Sequence, residues 1–169
     1  MVRSNPQSHS GHLAFLISHQ QAESSVSHKT LEGFALLVTF EDIGLTVANV
    51  HLAPGKANNS LRVSQIASVI ESSPTENIAI IGDTNTRKAE ISQFQNSGLH
   101  VPELPEPTWD SYRNQFHEDS PSFKASFTRC IAHPDIRISD LQVLEGKVIR
   151  NEKAFHVSDH FALFGRMQL

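Results

Sequence analysis

The chain has 169 residues, a formal net charge of −4 and a pI near 6.2, which gives room for one domain with a single core and excludes a general basic footprint for nucleic acid. The hydrophobic fraction of 38% is low for a globular domain but lies above the disordered range. Ten scattered His without Cys partners argue against a zinc site, and one Cys, Cys130, excludes a disulfide framework.

Taken in chain order, 1–10 reads as a flexible polar leader and 11–169 as a single domain. The run "GHLAFLIS" (Gly11–Ser18) predicts a first strand, and the Ser/Gln/Glu stretch after it predicts a loop. "GFALLVTF" (Gly33–Phe40) and "IGLTVANVHL" (Ile43–Leu52), linked by Glu41-Asp42, predict an antiparallel hairpin. Its second arm is nearly continuous in apolar residues, as expected for a strand covered on both faces. After the loop "APGKANNS", Asn59 or Ser60 is placed to cap a helix. Val63, Ile66, Ala67 and Ile70 fall at i, i+3, i+4 and i+7 and predict its buried face. "NIAIIG" (Asn77–Gly82) predicts a short buried strand beside Leu45–Leu52, and a second helix is expected over Ala89–Asn96, stopping at Gly98. Leu99–Ser122 reads as a long loop carrying "PTWDSYRN". Strands follow at Phe123–Ala132 and Leu141–Ile149, and "SDHFALFGRM" (Ser158–Met167) predicts a last strand opened by a polar triplet. No apolar run approaches the length of a membrane span and no charged-then-apolar leader opens the chain, so an intracellular protein with no membrane partner is expected.

Four polar clusters stand at the ends of apolar runs: His51, Asp83 with Asn85, Trp109 with Asp110, and Asp159 with His160. Groups in such positions, and in the loops beyond, are where open sheets build sites. Each has a plainer reading on its own. His51 is a strand-edge residue, "GDTN" an ordinary turn, Trp109 a packing residue, and "SDH" a polar strand entry. Together they suit hydrolysis of a phosphate ester. A carboxylate activates water, imidazoles donate to phosphate oxygens, an amide orients water or phosphate, and a hard divalent cation with oxygen ligands neutralises charge. Lys56, Arg62 and Arg87 are the nearest cations for phosphate contact.

"TVANVHLAP", "IIGDTNTR", "PTWDS" and "VSDHFALF", in that order, resemble the endonuclease/exonuclease/phosphatase superfamily, the deoxyribonuclease I-like fold, nearest its 5′-tyrosyl-DNA phosphodiesterase branch. The resemblance implies an α+β fold of two packed, mostly antiparallel β-sheets flanked by helices, a four-layer α/β/β/α sandwich. It implies Mg²⁺-dependent (or Mn²⁺-dependent) hydrolysis of phosphodiester bonds, with nucleic acid among the possible substrates. Carried over, Asp83 is the general base or water-positioning carboxylate and Asn85 its phosphate-orienting partner. His51 and His160 are the phosphate-contacting imidazoles. Asp159 lies at the metal, and Trp109 and Arg87 contact substrate. Two features depart from the pattern. The family's opening strand with an Asn, the helix after it and the strand ending in Gln-Glu, whose Glu is the principal metal ligand, have no match here. The chain is therefore expected to begin after them, and metal binding to be weakened or lost. Glu23 and Glu32 follow no buried strand and are not placed at the metal. The family's Arg-x-Asp-x-Ile strand is matched by "SFTRCI", with Ser126 at the Arg and Thr128 at the Asp. A sheet shortened in this way implies an open edge, to be covered by a homodimer or a companion segment. The alternative reading is a truncated or degenerate non-catalytic relative that binds nucleic acid or a partner through the same groove.

Overall fold

The structure, a computed structural model, describes residues 2–3, 14–15, 25–117 and 122–169. Most of the leader and of the strand expected at Gly11–Ser18 lies outside them. Within those stretches Val2–Arg3 (β1) pairs antiparallel with Ala14–Phe15 (β2).

A five-stranded sheet carries the molecule, its strands in the order Val26–Leu31, Ala35–Phe40, Leu45–His51, Asn77–Asp83 and Thr128–Ala132. The expected hairpin forms from β4 (Ala35–Phe40) and β5 (Leu45–His51), closed by a 3-10 turn at Glu41–Ile43. β5 is buried on both faces, as its unbroken apolar run requires. The loop expected before the hairpin is instead a strand, β3 (Val26–Leu31), paired with β4. Its sequence hides it because it is an edge strand, with His28 and Lys29 exposed and only its ends partly buried. Exposed charge is what keeps such an edge from pairing with another chain.

Helix α1 (Asn59–Glu71) carries the chain from β5 to β6 (Asn77–Asp83), which lies parallel to β5. Its N-cap is Asn58, not Asn59 or Ser60, and the Asn58 amide donates to the Pro54 carbonyl. The buried stripe is Arg62, Ile66 and Val69, with Val63 and Ile70 partly buried and Ala67 exposed. The register is thus turned from the expected one by a buried arginine, which an apolar count passes over. Arg62 is fully buried and forms a two-pronged ion pair with Glu90, Nε–Oε1 2.6 Å and Nη2–Oε2 2.9 Å, while its Nη1 donates to the Ala53 and Gly55 carbonyls. It holds the loop and the second helix, α2 (Lys88–Asn96), and is not available for phosphate contact. Helix α2 ends before Gly98 (φ +86°), as expected.

The long segment after α2 is anchored by a short ladder, β7 (Trp109–Asp110) with β8 (Lys124–Ala125). The expected strand over Phe123–Ala132 is therefore split into β8 and β9 (Thr128–Ala132), the latter pairing antiparallel with β6. The strand expected at Leu141–Ile149 is also two, β10 (Arg137–Leu144) and β11 (Lys147–Arg150), broken at Glu145-Gly146. β11 forms a hairpin with β12 (Lys153–His156). The last strand, β13 (Ala162–Gln168), pairs with β10.

The chain is α+β with packed sheets and few helices. On one face of the large sheet Leu37, Ala48, Val50, Ile78, Ile80 and Ile131 pack against Ile66 and Val69 of α1 and Phe94 of α2. On the other face Val47, Ala79 and Ile81 meet Ile136 and Ile138 at the start of the β10–β13 ribbon. A cavity of about 390 Å³ separates sheet from ribbon further along, lined by Cys130, Ile138, Leu141, Leu163 and Met167 among others. β13 has a neighbour on one edge only among the described residues, and Phe164 (51%) and Met167 (40%) are exposed on it. None of the described helices is long and apolar enough to cross a membrane.

Candidate active site

The carboxylate, the amide and one imidazole expected at a site are delivered by strand register. β5 and β6 run in parallel and end together, with His51 opposite Asp83, and β9 runs against β6 with Thr128 opposite Asp83. His51, Asp83 and Thr128 thus form a row across three adjacent strands at one end of the sheet. Gly82 is required before Asp83: its φ is +125°, and a Cβ there would stand 2.3 Å from the Val50 carbonyl oxygen. Beyond Asp83 the chain is tied on both sides. The Leu52 N–H donates to the Asp83 carbonyl and the Thr84 N–H to the Phe127 carbonyl, each at 2.9 Å. Thr84 and Thr86 are buried and share a hydrogen bond of 2.8 Å. Asn85 sits at φ +50°, a conformation Asn tolerates better than most residues.

Asp83 is the hub. Its Oδ1 accepts the Asn85 N–H and its Oδ2 accepts the Asn85 amide, both at 3.0 Å. The same amide nitrogen donates to the Leu52 carbonyl at 3.0 Å, so both amide protons are committed and Asn85 acts here by fixing the carboxylate. The Nε2 atoms of His51 and His160 each lie 3.6 Å from Asp83 Oδ2. That spacing is beyond direct hydrogen bonding but within ion-pair distance, so both rings face one carboxylate oxygen. His51 is the open side of the cluster, 45% exposed, against 16% for His160.

His160 is placed by the long segment after α2. The Asn114 amide donates to the Ser158 carbonyl at 2.8 Å, and the Phe161 N–H donates to the Thr108 carbonyl at 2.8 Å. Trp109 meets the His160 ring edge-on, centroids 4.9 Å apart, and stacks on Phe123 at 5.8 Å. Asp110 is buried beside it. Burial pushes its carboxyl up, but hydrogen bonds from Lys124 and the Tyr112 N–H, with the charges of Lys124 and Arg113, outweigh that and hold it below the usual carboxylate value. Asp110 is therefore a fixed anion that pins the loop through Lys124, 2.9 Å away.

Arg87 turns back on the chain, donating to the Asn85 carbonyl at 2.7 Å and lying over the Phe127 ring at 5.4 Å. Asp159 is exposed, next to His160, and accepts from the Ser158 hydroxyl. His156 and His160 stand four residues apart but do not converge: the buried His156 ring stacks on Phe161 and bonds Gln115. Among the described residues no three His, Cys, Asp or Glu side chains gather to hold a metal. The described residues alone therefore do not fit a divalent cation that demands several oxygen ligands. Two further residues belong to the site, Phe127 against His160 and Arg87, and Thr128, whose hydroxyl lies 2.9 Å from His160 Nδ1. The sequence signal for both is the short "SFTRCI" run, where a Thr stands at the position expected to carry a carboxylate.

No protein-family model matches the chain. No curated protein matches it either. Solved structures do. TDP2 of D. rerio, complexed with single-strand DNA product, is similar with a TM-score of 0.63 and 20% identity over 80% of this chain and 60% of that one. An endonuclease/exonuclease/phosphatase family protein from Bacteroides thetaiotaomicron is similar at TM-score 0.52 and 15% identity, over 79% of this chain and 54% of that one. The inositol polyphosphate 5-phosphatase domain of SPsynaptojanin, in complex with inositol (1,4)-bisphosphate and calcium ion, is similar at TM-score 0.54 and 14% identity, over 83% and 52%. The fold is that of the endonuclease/exonuclease/phosphatase, or deoxyribonuclease I-like, structures. The chain spans between about half and six tenths of the length of these structures.

Proposed function

We propose that the Asp83 cluster is a phosphoester site at which this chain hydrolyses a phosphodiester. The observation that carries the reading is the pair of imidazoles, His51 and His160, each 3.6 Å from one oxygen of a carboxylate that Asn85 holds in place. A phosphate seated between the rings would receive Nε2–H bonds on its non-bridging oxygens, where negative charge develops. Asp83 would take a proton from a water as that water's oxygen bonds to phosphorus and the bond to the leaving oxygen breaks. The leaving oxygen takes its proton from solvent. No step is routed through Mg²⁺ or Mn²⁺, because no three His, Cys, Asp or Glu side chains gather to hold an ion among the described residues. In this reading the ion is held only when a further carboxylate joins Asp159 from outside them.

The substrate class we favour is a nucleic-acid end, supported by the D. rerio TDP2 fold with its single-strand DNA product and by the aromatic wall of Trp109, Phe123 and Phe127 beside His160. The edge of β13 that no described strand covers would take a partner strand, which a second copy or a companion segment would supply.

The test is cleavage of a chromogenic aryl phosphodiester, with and without millimolar Mg²⁺. Asp83→Asn, which keeps the shape and removes the base, is expected to lower turnover by about 10²–10⁴-fold. Equal turnover in the two proteins would end the reading. A second reading, a binding relative without turnover, is favoured by the hydroxyl at Thr128 and the short metal-ligand set. It predicts phosphate binding that depends on His51 and His160, with no cleavage by any form of the chain.

A further inference from the structure

The row across the sheet ends in a group that the mechanism above does not use. Thr128 faces Asp83 in antiparallel register, and residues so opposed send their side chains to the same face. Its hydroxyl lies 2.9 Å from Nδ1 of His160. That hydroxyl is itself fixed. The Thr128 N–H donates to the Thr108 hydroxyl at 3.0 Å, and the Thr108 hydroxyl donates back to the Thr128 carbonyl at 3.3 Å, with Thr108 fully buried. A β-branched side chain on a backbone clamped in this way has little χ1 freedom left.

The other end of the ring decides where the proton sits. Nε2 of His160 faces Asp83 Oδ2 at 3.6 Å, and an ionised carboxylate only accepts. A neutral imidazole carrying its proton on Nε2 turns the positive end of its N–H dipole toward that anionic oxygen. The opposite tautomer would aim a lone pair at it. With the proton on Nε2, Nδ1 holds a lone pair, and the group in reach of it, a threonine hydroxyl, can donate. A carboxylate at 128 would do the reverse: it would accept from Nδ1 and favour the doubly protonated ring.

We propose that Thr128 is a positioning residue, whose hydroxyl donates to Nδ1 of His160 and holds the uncharged ring as an Nε2–H donor aimed at the phosphate position beside Asp83. The proposal rests on the phosphoester reading for its purpose, but its geometry stands without turnover. It gives this site a donor that needs no positive charge.

The experiment reads the ring nitrogens directly. The full chain is labelled with ¹⁵N, and the two-bond ¹H–¹⁵N correlations of the imidazoles are recorded near pH 8, above the ordinary His range of about 6.5. His160 is assigned by the signals that vanish in His160→Gln. The wild type is expected to show a protonated Nε2 and an Nδ1 lone pair shifted by an accepted hydrogen bond. Thr128→Val, of the same shape, should move Nδ1 to the position of an unbonded lone pair, and Thr128→Ser should bring it back. Inorganic phosphate should perturb the Nε2 signal and bind about fivefold more weakly to the Val variant, the ratio that one ordinary hydrogen bond supplies. A protonated Nδ1 in the wild type, or an Nδ1 signal unmoved in Thr128→Val, would overturn the proposal. If Thr128→Val fails to fold, the wild-type and Thr128→Ser spectra decide it. Phosphate that leaves the wild-type ring untouched while Thr128→Val still shifts Nδ1 would remove the phosphoester reading and leave the hydroxyl's hold on the ring intact.

Discussion

Two side chains set the stability of the site without touching it. Arg62 is the larger case, a guanidinium with no exposure, paired with Glu90 through two bonds and capped by two carbonyls. Removing one member of such a pair strands the other charge in the core. Arg62→Ala is therefore expected to cost about 3–5 kcal/mol in urea unfolding, while phosphate binding to the folded fraction stays unchanged. His156 is the second. Its proton affinity is lowered by burial first, then by the charges of Lys147 and Arg113, although the Glu145 carboxylate lies 3.6 Å from Nε2. The unfolded chain then takes up a proton that the folded one resists. This contribution is fully present above about pH 6.5, the unfolded value, and is lost as pH falls below it toward the lower folded value. Urea midpoints measured at pH 7.5 and 5.5 should show the drop, and His156→Phe, which keeps the stack on Phe161, should reduce it.

At the scale of elements, each group of the proposed site is the terminus of a segment held by its neighbours. His160 depends on the 108–114 stretch, where Asn114 donates to Ser158 and Thr108 accepts from Phe161. Asn114→Ala is expected to cost about 1–2 kcal/mol for the orphaned carbonyl and to lower phosphate affinity through a displaced His160, which calorimetry of both would register. These ties explain what the sequence revealed and what it hid. The β4–β5 hairpin, β6 and both helices were legible because their apolar periods are long and clean. The polar ends His51, Asp83-Asn85 and Asp159-His160 were legible because each follows or precedes such a run. β3 was not, since an exposed edge strand carries no apolar signal. The break between β8 and β9 was hidden because the strand pattern runs on through Phe127, whereas that between β10 and β11 carries a signal, Gly146, which the flanking apolar residues outweighed. The true face of α1 was hidden by a buried ion pair whose partner lies 28 residues away. Thr128 reads only as a departure, a hydroxyl where the resemblance expects a carboxylate, until register sets it opposite Asp83.

The whole molecule is unevenly sealed. Among the described residues the large sheet is covered by both helices on one face, while its other face meets a two-stranded ribbon whose β13 is open along one edge, with Phe164 and Met167 exposed. An open apolar edge of this kind is expected to recruit another strand. Light scattering over a hundredfold range of concentration should show association, and Phe164→Lys should reduce it; a monomer throughout would remove the expectation. The cavity beneath the ribbon has one further consequence. Cys130 lines it, 4% exposed, with its thiol pushed up to about 12 by burial, so it is inert while the ribbon is seated. Parting of ribbon and sheet would bare that sulfur further to a disulfide reagent. The chain therefore carries its own stopwatch: the pace of thiol labelling rises with how often the two layers come apart, and any strand that docks on β13 should slow it.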